Sequence, residues 1–384
     1  MFSFSNIHAI PKLLLGFFLC SFPAWAHAAI PFEIKTIALT ADDGLFGPAL
    51  GPGVSFIGFN GSPILNSSGN VAFPGTTINA NGDVAKGFWL DTVGGNDAIV
   101  LTNDDGVLGP GLGPGIVFDN VVDNAYLSDG GEVIIGGFLS GSGVDNSNGW
   151  VWSKHAAGVN VPFAREGVAN DLGPGLGGDE HYSGFFIGPQ INSENLVLFQ
   201  ATIAGSAIDT FNDLGLWKHS SAGNIAVART GDTSAVGPGL GADTVFTPYF
   251  TSERVLDGSG EVVFSGLAQN LGTGARDIGL WRNDGTKNVA FVLSGNTGNL
   301  GPGLGDSRSF ADGSTQSFLE FDTNQQNDVI FLAKLDDGTG GIWRNSGPGN
   351  QAVAIAGQSN ILGPGLGTQD TFADFDPRSE IPMW

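Results

Sequence analysis

A five-residue string, Gly-Pro-x-Leu-Gly, recurs six times along this chain. The copies begin at Gly47, Gly109, Gly173, Gly237, Gly301 and Gly363. Successive copies are 62 or 64 residues apart, and a spacing this regular indicates tandem structural units. The units cover approximately residues 47–108, 109–172, 173–236, 237–300 and 301–362, with a partial unit at 363–384. Any predicted fold must therefore be built from one supersecondary element repeated in register.

Each unit contains four short segments with the character of β-strands. An aromatic residue follows the first glycine of every copy by nine positions: Phe56, Phe118, Tyr182, Phe246, Phe310 and Phe372. A polar turn, a Val-x-Phe-like segment, a Gly-x-Trp segment and a short apolar segment come next. We name the four predicted strands a, b, c and d in chain order. Alternating apolar residues between turn residues predict strands, and glycines interrupt every stretch that is long enough for a helix.

Four antiparallel strands repeated in tandem are typical of the blades of a β-propeller. We predict an all-β propeller with five full blades. An open β-solenoid is the alternative, although its coils are usually shorter than these units. Residues 32–44 are similar to strand d and residues 371–384 hold a strand a. The two ends of the chain are therefore predicted to share an incomplete sixth blade.

The first 28 residues differ in character from the rest. Lys12 precedes an apolar run at residues 13–22, and the segment ends in an Ala-x-Ala pattern at Ala28. This arrangement predicts a cleaved secretory signal peptide at residues 1–28, because the apolar run is too short to span a membrane comfortably. Residues 29–384 are then one exported domain without a transmembrane helix. Its expected location is extracellular, at the cell surface or in the periplasm.

Composition excludes several classes of function. The chain has 15 basic and 38 acidic residues, for a net charge of −23, so nucleic acids and anionic membrane surfaces are poor partners. Cys20 is the only cysteine and lies within the predicted signal peptide. The mature chain would therefore have no disulfide, no thiol chemistry and no cysteine-ligated metal.

Residues 66–73 read Asn-Ser-Ser-Gly-Asn-Val-Ala-Phe, and they form the turn and strand b of the first unit. This string is similar to the motif Asn-x-x-Gly-x-x-Ala-Phe, which defines a tandem-repeat family of predicted bacterial surface proteins. The match is complete here and looser in the other units, where Ile135 replaces the last Phe of the second copy. The resemblance extends from about residue 32 to the end. It implies an exported repeat protein but no activity. Residues 363–384 do not match the hydrophobic tail and basic cluster of that family's C-terminal sorting anchor, so attachment by such an anchor is not predicted from them.

The sequence contains no Gly-x-Ser-x-Gly, His-Glu-x-x-His or P-loop motif. Its densest polar cluster is at residues 177–182, where the third unit alone gains Asp179, Glu180 and His181. Glu180 and His181 are candidates for a general acid and base, and the three side chains together could bind a metal. The alternative is a solvated loop whose sequence has drifted.

Acidic turns recur near the ends of the units. Carboxylates in tight turns suit Ca²⁺, which prefers oxygen ligands, so Ca²⁺ is the one candidate cofactor. The candidate ligands, besides Asp179, are Asp42, Asp43, Asp104, Asp105, Asp336 and Asp337. Asp and Gly are also the ordinary residues of turns, and none of these segments has the spacing of a twelve-residue calcium loop.

Tryptophans recur in the Gly-x-Trp segments at Trp89, Trp152, Trp217, Trp281 and Trp343. Because the position is regular, we predict that they pack in the core between blades. Trp150 is an extra tryptophan, on the same face of strand c as Trp152 by alternation. It is the candidate for a solvent-facing, ligand-binding aromatic residue that could stack on a sugar.

Two functions remain after these exclusions. The export signal, the regular repeat and the missing catalytic motifs favour a non-catalytic secreted or cell-surface protein. Such a protein would bind or adhere to an extracellular polysaccharide or a surface protein. The alternative is an extracellular hydrolase or lyase that acts on polysaccharide, since propellers host such enzymes. A purely structural layer protein differs from the first hypothesis only in lacking a ligand.

Overall fold

The structure is a computed structural model that describes residues 35–375, except residues 93, 123–124, 187, 306, 313–317, 319 and 325. The predicted signal peptide and residues 376–384 lie outside the described residues. The described part of the chain forms 23 β-strands and no helix. It accordingly offers no apolar helix of the length that a lipid bilayer requires.

The strands form five sheets, one for each full repeat unit. The first sheet comprises β1 (Ser55–Gly58), β2 (Ile64–Leu65), β3 (Val71–Ile78), β4 (Val84–Thr92) and β5 (Gly95–Leu101). The second comprises β6 (Ile116–Val121), β7 (Tyr126–Leu127), β8 (Val133–Gly141), β9 (Trp150–Ala156) and β10 (Val159–Arg165). The third comprises β11 (His181–Phe185), β12 (Gln190–Ile191), β13 (Val197–Ala204), β14 (Leu214–Ser220) and β15 (Gly223–Arg229). The fourth comprises β16 (Thr244–Leu256), β17 (Val262–Asn270), β18 (Arg276–Asn283) and β19 (Asn288–Leu293). The fifth comprises β20 (Phe321–Thr323), β21 (Val329–Lys334), β22 (Gly340–Asn345) and β23 (Asn350–Ile355).

All five sheets have the strand order a-b-c-d, with antiparallel pairing throughout. Strand a is split into two short segments in the first three sheets, and both segments pair with strand b. The predicted all-β fold of four-stranded, propeller-type units is therefore confirmed. The predicted sixth blade is not formed by the described residues. Between residues 37 and 46 only Thr40 makes a bridge, to Phe56, and residues 363–375 contain no strand. The number of blades stays a prediction.

The core consists of aromatic groups that repeat from sheet to sheet. In the third sheet the Trp217 ring stacks on Phe199, with centroids 6.4 Å apart, and meets the edge of Tyr182 at 5.4 Å. Corresponding triads occur in the first, fourth and fifth sheets. Apolar clusters then join each sheet to the next, from the first sheet to the fifth. Buried apolar area of this kind is the main stabilising term of the fold.

The geometry of the Gly-Pro loops explains why their sequence recurs. A Cβ atom on Gly47 or Gly173 would lie 2.6 Å from the backbone carbonyl oxygen five residues earlier, so only glycine fits there. The middle glycine has positive φ, for example 70° at Gly175, and Ala49 takes the same conformation at 55° in the first copy. The Pro174 carbonyl accepts a hydrogen bond from Trp217 Nε1 at 3.2 Å. The loop is thus fastened to its own sheet.

A buried asparagine on strand d makes a second hydrogen bond to the same loop. Asn224 Nδ2 donates to the Gly173 carbonyl at 2.9 Å and to the Phe163 carbonyl of the preceding strand d at 2.7 Å. The equivalent residues Asn96, Asn160, Asn288 and Asn350 make the same pair of bonds. The second to fifth sheets are therefore each linked to the preceding sheet by the N–H groups of a buried amide.

The Asn-x-x-Gly turn has a comparable structural role. Asn66 Oδ1 accepts the backbone N–H groups of Ser68 and Asn70, and Asn66 Nδ2 donates to the Ser128 carbonyl in the second sheet at 2.9 Å. Gly69 closes the turn with φ of 83°. The motif that resembles the repeat family thus shapes a tight turn and joins neighbouring sheets.

Candidate functional site

In the loop at residues 177–182, some polar side chains are hydrogen-bonded and others are not. Asp179 accepts the backbone N–H and the hydroxyl of Ser206, at 2.9 and 3.0 Å, and these bonds hold the pKa of Asp179 below its usual range. His181 Nδ1 lies 2.9 Å from the Asp179 carbonyl oxygen. Glu180 Oε2 is buried without a hydrogen-bond partner. The three side chains are close because they are consecutive in the sequence, and the Asp179 carboxylate is already occupied by its bonds to Ser206.

The predicted calcium ligands of the first two units also bond to backbone groups. Asp42 and Asp104 each accept the N–H group two residues later, at 2.6 and 2.8 Å. Asp43 and Asp105 each accept an N–H group ten residues later, from Gly53 and Gly115. These carboxylates replace backbone acceptors in turns, which is a common role of Asp.

Asp336 and Asp337 face a cation of the protein itself. Arg308 Nη2 donates to Asp337 Oδ2 at 2.9 Å, and its Nε lies 3.6 Å from Asp336 Oδ1. Within residues 35–375, the gaps excepted, no group of three or more His, Cys, Asp or Glu side chains could hold a metal ion together. Calcium binding therefore stays a prediction from the sequence.

The second sheet departs from the repeat in strand c. In the third sheet Trp217 pairs with Phe199, whereas in the second sheet Ser153 pairs with the equivalent Ile135. Ser153 Oγ donates to the Pro110 carbonyl at 3.2 Å, the bond that a tryptophan N–H makes elsewhere. The prediction that Trp152 occupies the repeated tryptophan position is therefore wrong by one residue. Its burial was predicted correctly, since all five of these tryptophans are fully buried.

The prediction that Trp150 faces solvent is also wrong. Its side chain is only 9% exposed and packs in the cluster between the second and third sheets. The Trp150 ring lies edge-on to Phe138, with centroids 4.5 Å apart, and also contacts Trp152 at 5.9 Å. Trp150 and Trp152 stand at the positions of Leu214 and Leu216 in the third sheet, so both tryptophans point to the face that those leucines occupy there. Trp150 therefore packs behind Phe138, whose exposed ring forms part of a neighbouring surface.

That surface is the wall of a cavity of about 520 Å³ in the second sheet. Strand a, the end of strand b, the b–c hairpin and the end of strand d all contribute to it. The lining residues are Asp119, Phe138, Leu139, Ser140, Gly141, Val144, Asp145, Asn146, Gly149 and Glu166. Phe138 exposes 51% of its side chain here, although its ring edge is held by Trp150. The cavity thus combines an accessible aromatic ring with several acidic and amide groups.

Glu166 is the most unusual residue of this cavity. It stands seven residues before the first glycine of the next Gly-Pro loop. The other full units have Thr102, Thr230, Ser294 and Ala356 at this position, and Thr40 precedes the first loop. In three of those units the hydroxyl accepts a backbone N–H group at the start of strand c. Glu166 likewise receives a backbone hydrogen bond from Trp150. A carboxyl group therefore occupies a position that a small hydroxyl group fills elsewhere.

Burial raises the pKa of Glu166 from 4.5 to about 7, against the opposing effect of the Trp150 hydrogen bond. A shift in this direction means that the ionised side chain destabilises the folded state relative to a solvated one. The repeat shows that Thr or Ser satisfies the same backbone group without this penalty. A perturbed acid in a cavity is a candidate functional residue.

Three buried polar groups without hydrogen-bond partners belong to residues of the apolar cluster between the second and third sheets. They are the indole N–H groups of Trp150 and Trp152 and the hydroxyl of Tyr182, whose backbone bridges to Glu166. Each such group costs about 1–3 kcal/mol relative to a satisfied one. Burial also raises the pKa of Tyr182 well above its usual value. The region is therefore poorly optimised for stability, which is typical of functional sites.

The remaining acids of the cavity differ in their surroundings. Asp145 accepts both the hydroxyl and the backbone N–H of Ser147, at 2.6 and 2.8 Å, and these bonds lower the pKa of Asp145. Asp119 is exposed on strand a, beside the buried Phe118. Neither Asp119 nor Glu166 takes part in an ion pair among the described residues.

Sequence reasoning missed this cavity although one signal was present. The column seven residues before each Gly-Pro loop reads Thr, Thr, Glu, Thr, Ser and Ala. A glutamate in that column is as conspicuous as the acidic loop at residues 177–182. Its burial could not be inferred, because the b–c hairpin that covers it has no distinctive sequence pattern.

Comparisons with known proteins give a weak structural likeness and no sequence match. No family model matches the chain, and no curated protein matches it. Among solved structures it is similar to an ulvan lyase, a polysaccharide lyase, with 10% identity, TM-score 0.32, 77% of this chain covered and 70% of the other. A second polysaccharide lyase is 8% identical, with a TM-score of 0.38, and the match covers 79% of this chain and 70% of the lyase. A Trypanosoma rangeli sialidase is 12% identical, with a TM-score of 0.30, and the match covers 80% of this chain and 53% of the sialidase. Likeness at this level carries no argument about activity.

Proposed function

We propose that this chain is an exported, non-catalytic protein that binds saccharide in the cavity of the second sheet. Export is inferred from the signal-peptide pattern at residues 1–28, and the surface location agrees with the Asn-x-x-Gly-x-x-Ala-Phe resemblance. Adhesion to a polysaccharide or to a glycosylated surface protein would follow from such a site. The sequence contains no catalytic motif that contradicts this proposal.

One observation carries the proposal: an exposed aromatic ring and a half-buried carboxyl group line the same cavity, in the sheet whose strand c departs from the repeat. Phe138 stands where the third sheet has Thr202, and Asp119 stands where it has Ser183. An apolar ring face next to a few placed polar groups is the usual composition of small-molecule sites. Pyranose rings present C–H faces and hydroxyl edges that suit such a lining.

A second candidate function is catalysis on polysaccharide. It is favoured by Glu166, because a carboxyl group with a pKa of about 7 can both give and take a proton near neutral pH. A hydrolase would need a second carboxylate across the scissile bond, for which Asp119 and Asp145 are the neighbours in the lining. Binding without turnover is the simpler proposal, since it requires no further group.

The test is a retention and turnover assay on residues 29–384. The protein is incubated with insoluble and soluble polysaccharides, and both retained protein and new reducing or unsaturated sugar ends are measured. We expect retention on at least one polysaccharide without product. New chain ends that disappear in Glu166→Gln would establish the enzyme instead. No retention on any polysaccharide would contradict the proposal.

Matched aromatic variants locate the binding surface. Phe138→Ala should reduce retention about tenfold or more, since it removes the ring that the ligand would stack on. Phe211→Ala is the control, because Phe211 is a partly exposed ring on the b–c hairpin of the third sheet. Equal losses in the two variants would mean that the binding surface is not the second-sheet cavity.

A further inference from the structure

We propose that the ligand of the second-sheet cavity is cationic, and that its class is an oligosaccharide of amino sugars with free amines. This inference rests on the proposed saccharide-binding function and adds the charge of the ligand to it. It concerns the acids that line the cavity together with the exposed Phe138 ring.

The charge distribution of the cavity carries the inference. Its lining includes Asp119, Asp145 and Glu166 but no Lys, Arg or His. Two basic residues lie next to the lining and bond to neutral groups there: Arg165 Nε donates to the Asn148 carbonyl at 3.2 Å, and Lys86 Nζ lies 3.5 Å from Asn120 Oδ1. Besides the Ser147 hydrogen bonds, Arg165 contributes to lowering the pKa of Asp145, whereas none of the ion pairs among the described residues involves Asp119 or Glu166. Bringing an anionic sugar into this cavity would place like charges together.

An ammonium group would offset the main electrostatic penalty of the site. Glu166 is half-buried beside apolar and aromatic groups, and no protein cation pairs with it among the described residues. A ligand amine near this carboxylate would supply the missing countercharge in a partly desolvated setting, where such pairs are strongest. Phe138 could then contact the C–H face of the same sugar or the ammonium group itself.

The Phe138 ring favours a sugar over a simple amine. It is 51% exposed at the cavity, and the Trp150 ring packs edge-on against it from the buried side. A ring held in this way offers an apolar surface to the C–H face of a pyranose, which a simple amine would leave uncovered.

Isothermal titration with matched tetrasaccharides tests the inference. The three probes are oligomers of glucosamine, N-acetylglucosamine and galacturonic acid, which are cationic, neutral and anionic. We expect the glucosamine oligomer to bind about tenfold more tightly than the neutral one, and the preference to decrease with added salt. Equal binding of the cationic and neutral probes, or tighter binding of the anionic one, would overturn the inference but leave saccharide binding intact. No binding of any probe would overturn both.

Charge-removing variants assign the preference to the cavity. Glu166→Gln and Asp119→Asn should each reduce glucosamine-oligomer affinity about tenfold, with little change for the neutral probe. Glu180→Gln is the matched control, since it removes the same charge outside the lining. If Glu180→Gln lowers the affinity as much as Glu166→Gln does, the preference comes from the net charge of −23 instead of the cavity. Circular dichroism of each variant confirms that the fold is retained.

Discussion

The second and third sheets are equivalent residue by residue at an offset of 64 positions, but they pack differently. The third sheet places Phe199 and Trp217 on one face, and the second places Ile135 and Ser153 there. Val151 pairs with Gly137 in the second sheet, whereas Gly215 pairs with Ala201 in the third. The aromatic volume moves to Trp150 and Trp152 on the opposite face of strand c. The same strand framework thus tolerates two packing solutions, provided that the volume between sheets is preserved.

Comparing the two sheets also distinguishes residues that anchor the Gly-Pro loop from residues that line the cavity. The fastening bonds are identical, because Ser153 replaces Trp217 as the donor to the proline carbonyl. The cavity residues are not identical: the third sheet has Ser183 and Thr202, which bond to each other at 3.1 Å. The second sheet has Asp119 and Phe138 at these positions. The hydrogen bond that anchors the Gly-Pro loop is kept in both sheets, and residues that open toward solvent differ.

The largest change in the free energy of unfolding should come from the side chains that donate to the proline carbonyl of the Gly-Pro loop. Trp217→Ala removes a fully buried ring and a hydrogen bond, so we expect a loss of about 3–5 kcal/mol in the free energy of unfolding. Ser153→Ala at the equivalent position removes only a hydrogen bond, with an expected loss of about 1 kcal/mol. Denaturant unfolding measures both. Similar losses would show that the two sheets do not differ in packing at this position.

Replacing Glu166 by the residue of the third sheet should change stability in a pH-dependent manner. The folded-state pKa of Glu166 is raised to about 7, so between about pH 4.5 and about pH 7 the folded state keeps a proton that the unfolded state loses. Stability therefore falls as pH rises through this range. Glu166→Thr should remove that fall and stabilise the protein most above pH 7. Thermal unfolding across pH measures it, and a variant that is equally stabilised at acidic pH would contradict the assigned cause.

His219 should give the opposite pH slope in the third sheet. Its Nδ1 lies 3.0 Å from Asn224 Oδ1, and burial lowers the pKa of His219. The unfolded chain therefore binds a proton more readily, and the stability contributed here is lost as pH falls below about 6.5. His219→Asn copies the Asn283–Asn288 pair of the fourth sheet and should flatten this slope. Unfolding free energies at about pH 5 and about pH 8 test it, and an unchanged slope would be the contradicting result.

The smallest effect should come from the acidic turns. Asp104→Ala removes an acceptor for the Gly106 N–H group and should cost about 0.5–1.5 kcal/mol, whereas Asp104→Asn should be nearly neutral. Asn296 already makes the same bond at the equivalent position of the fourth unit. Unfolding is measured with Ca²⁺ and with EDTA. A large loss for Asp104→Asn that depends on Ca²⁺ would show that these turns bind the ion.

The strands and loops could be predicted because the repeat presents the same physical problem several times. Positions such as Gly173 and Trp217 recur wherever one carbonyl or one aromatic triad must be accommodated. The packing of the second sheet could not be predicted, because a Gly-Trp-Val-Trp segment permits two registers that differ by one residue and face opposite sides. Which register forms depends on the volume offered by the neighbouring sheets. The burial of Glu166 depends in the same way on a hairpin brought over it by the fold.

The most direct test of the account exchanges the cavity for its third-sheet counterpart. The variant carries Asp119→Ser, Phe138→Thr and Glu166→Thr together, and its binding isotherm with the glucosamine oligomer is compared with that of the unmodified protein. Our account predicts that binding is abolished while the thermal stability at neutral pH is unchanged or higher. Undiminished affinity in a folded variant would contradict the claim that the departures of the second sheet from the repeat form the binding site.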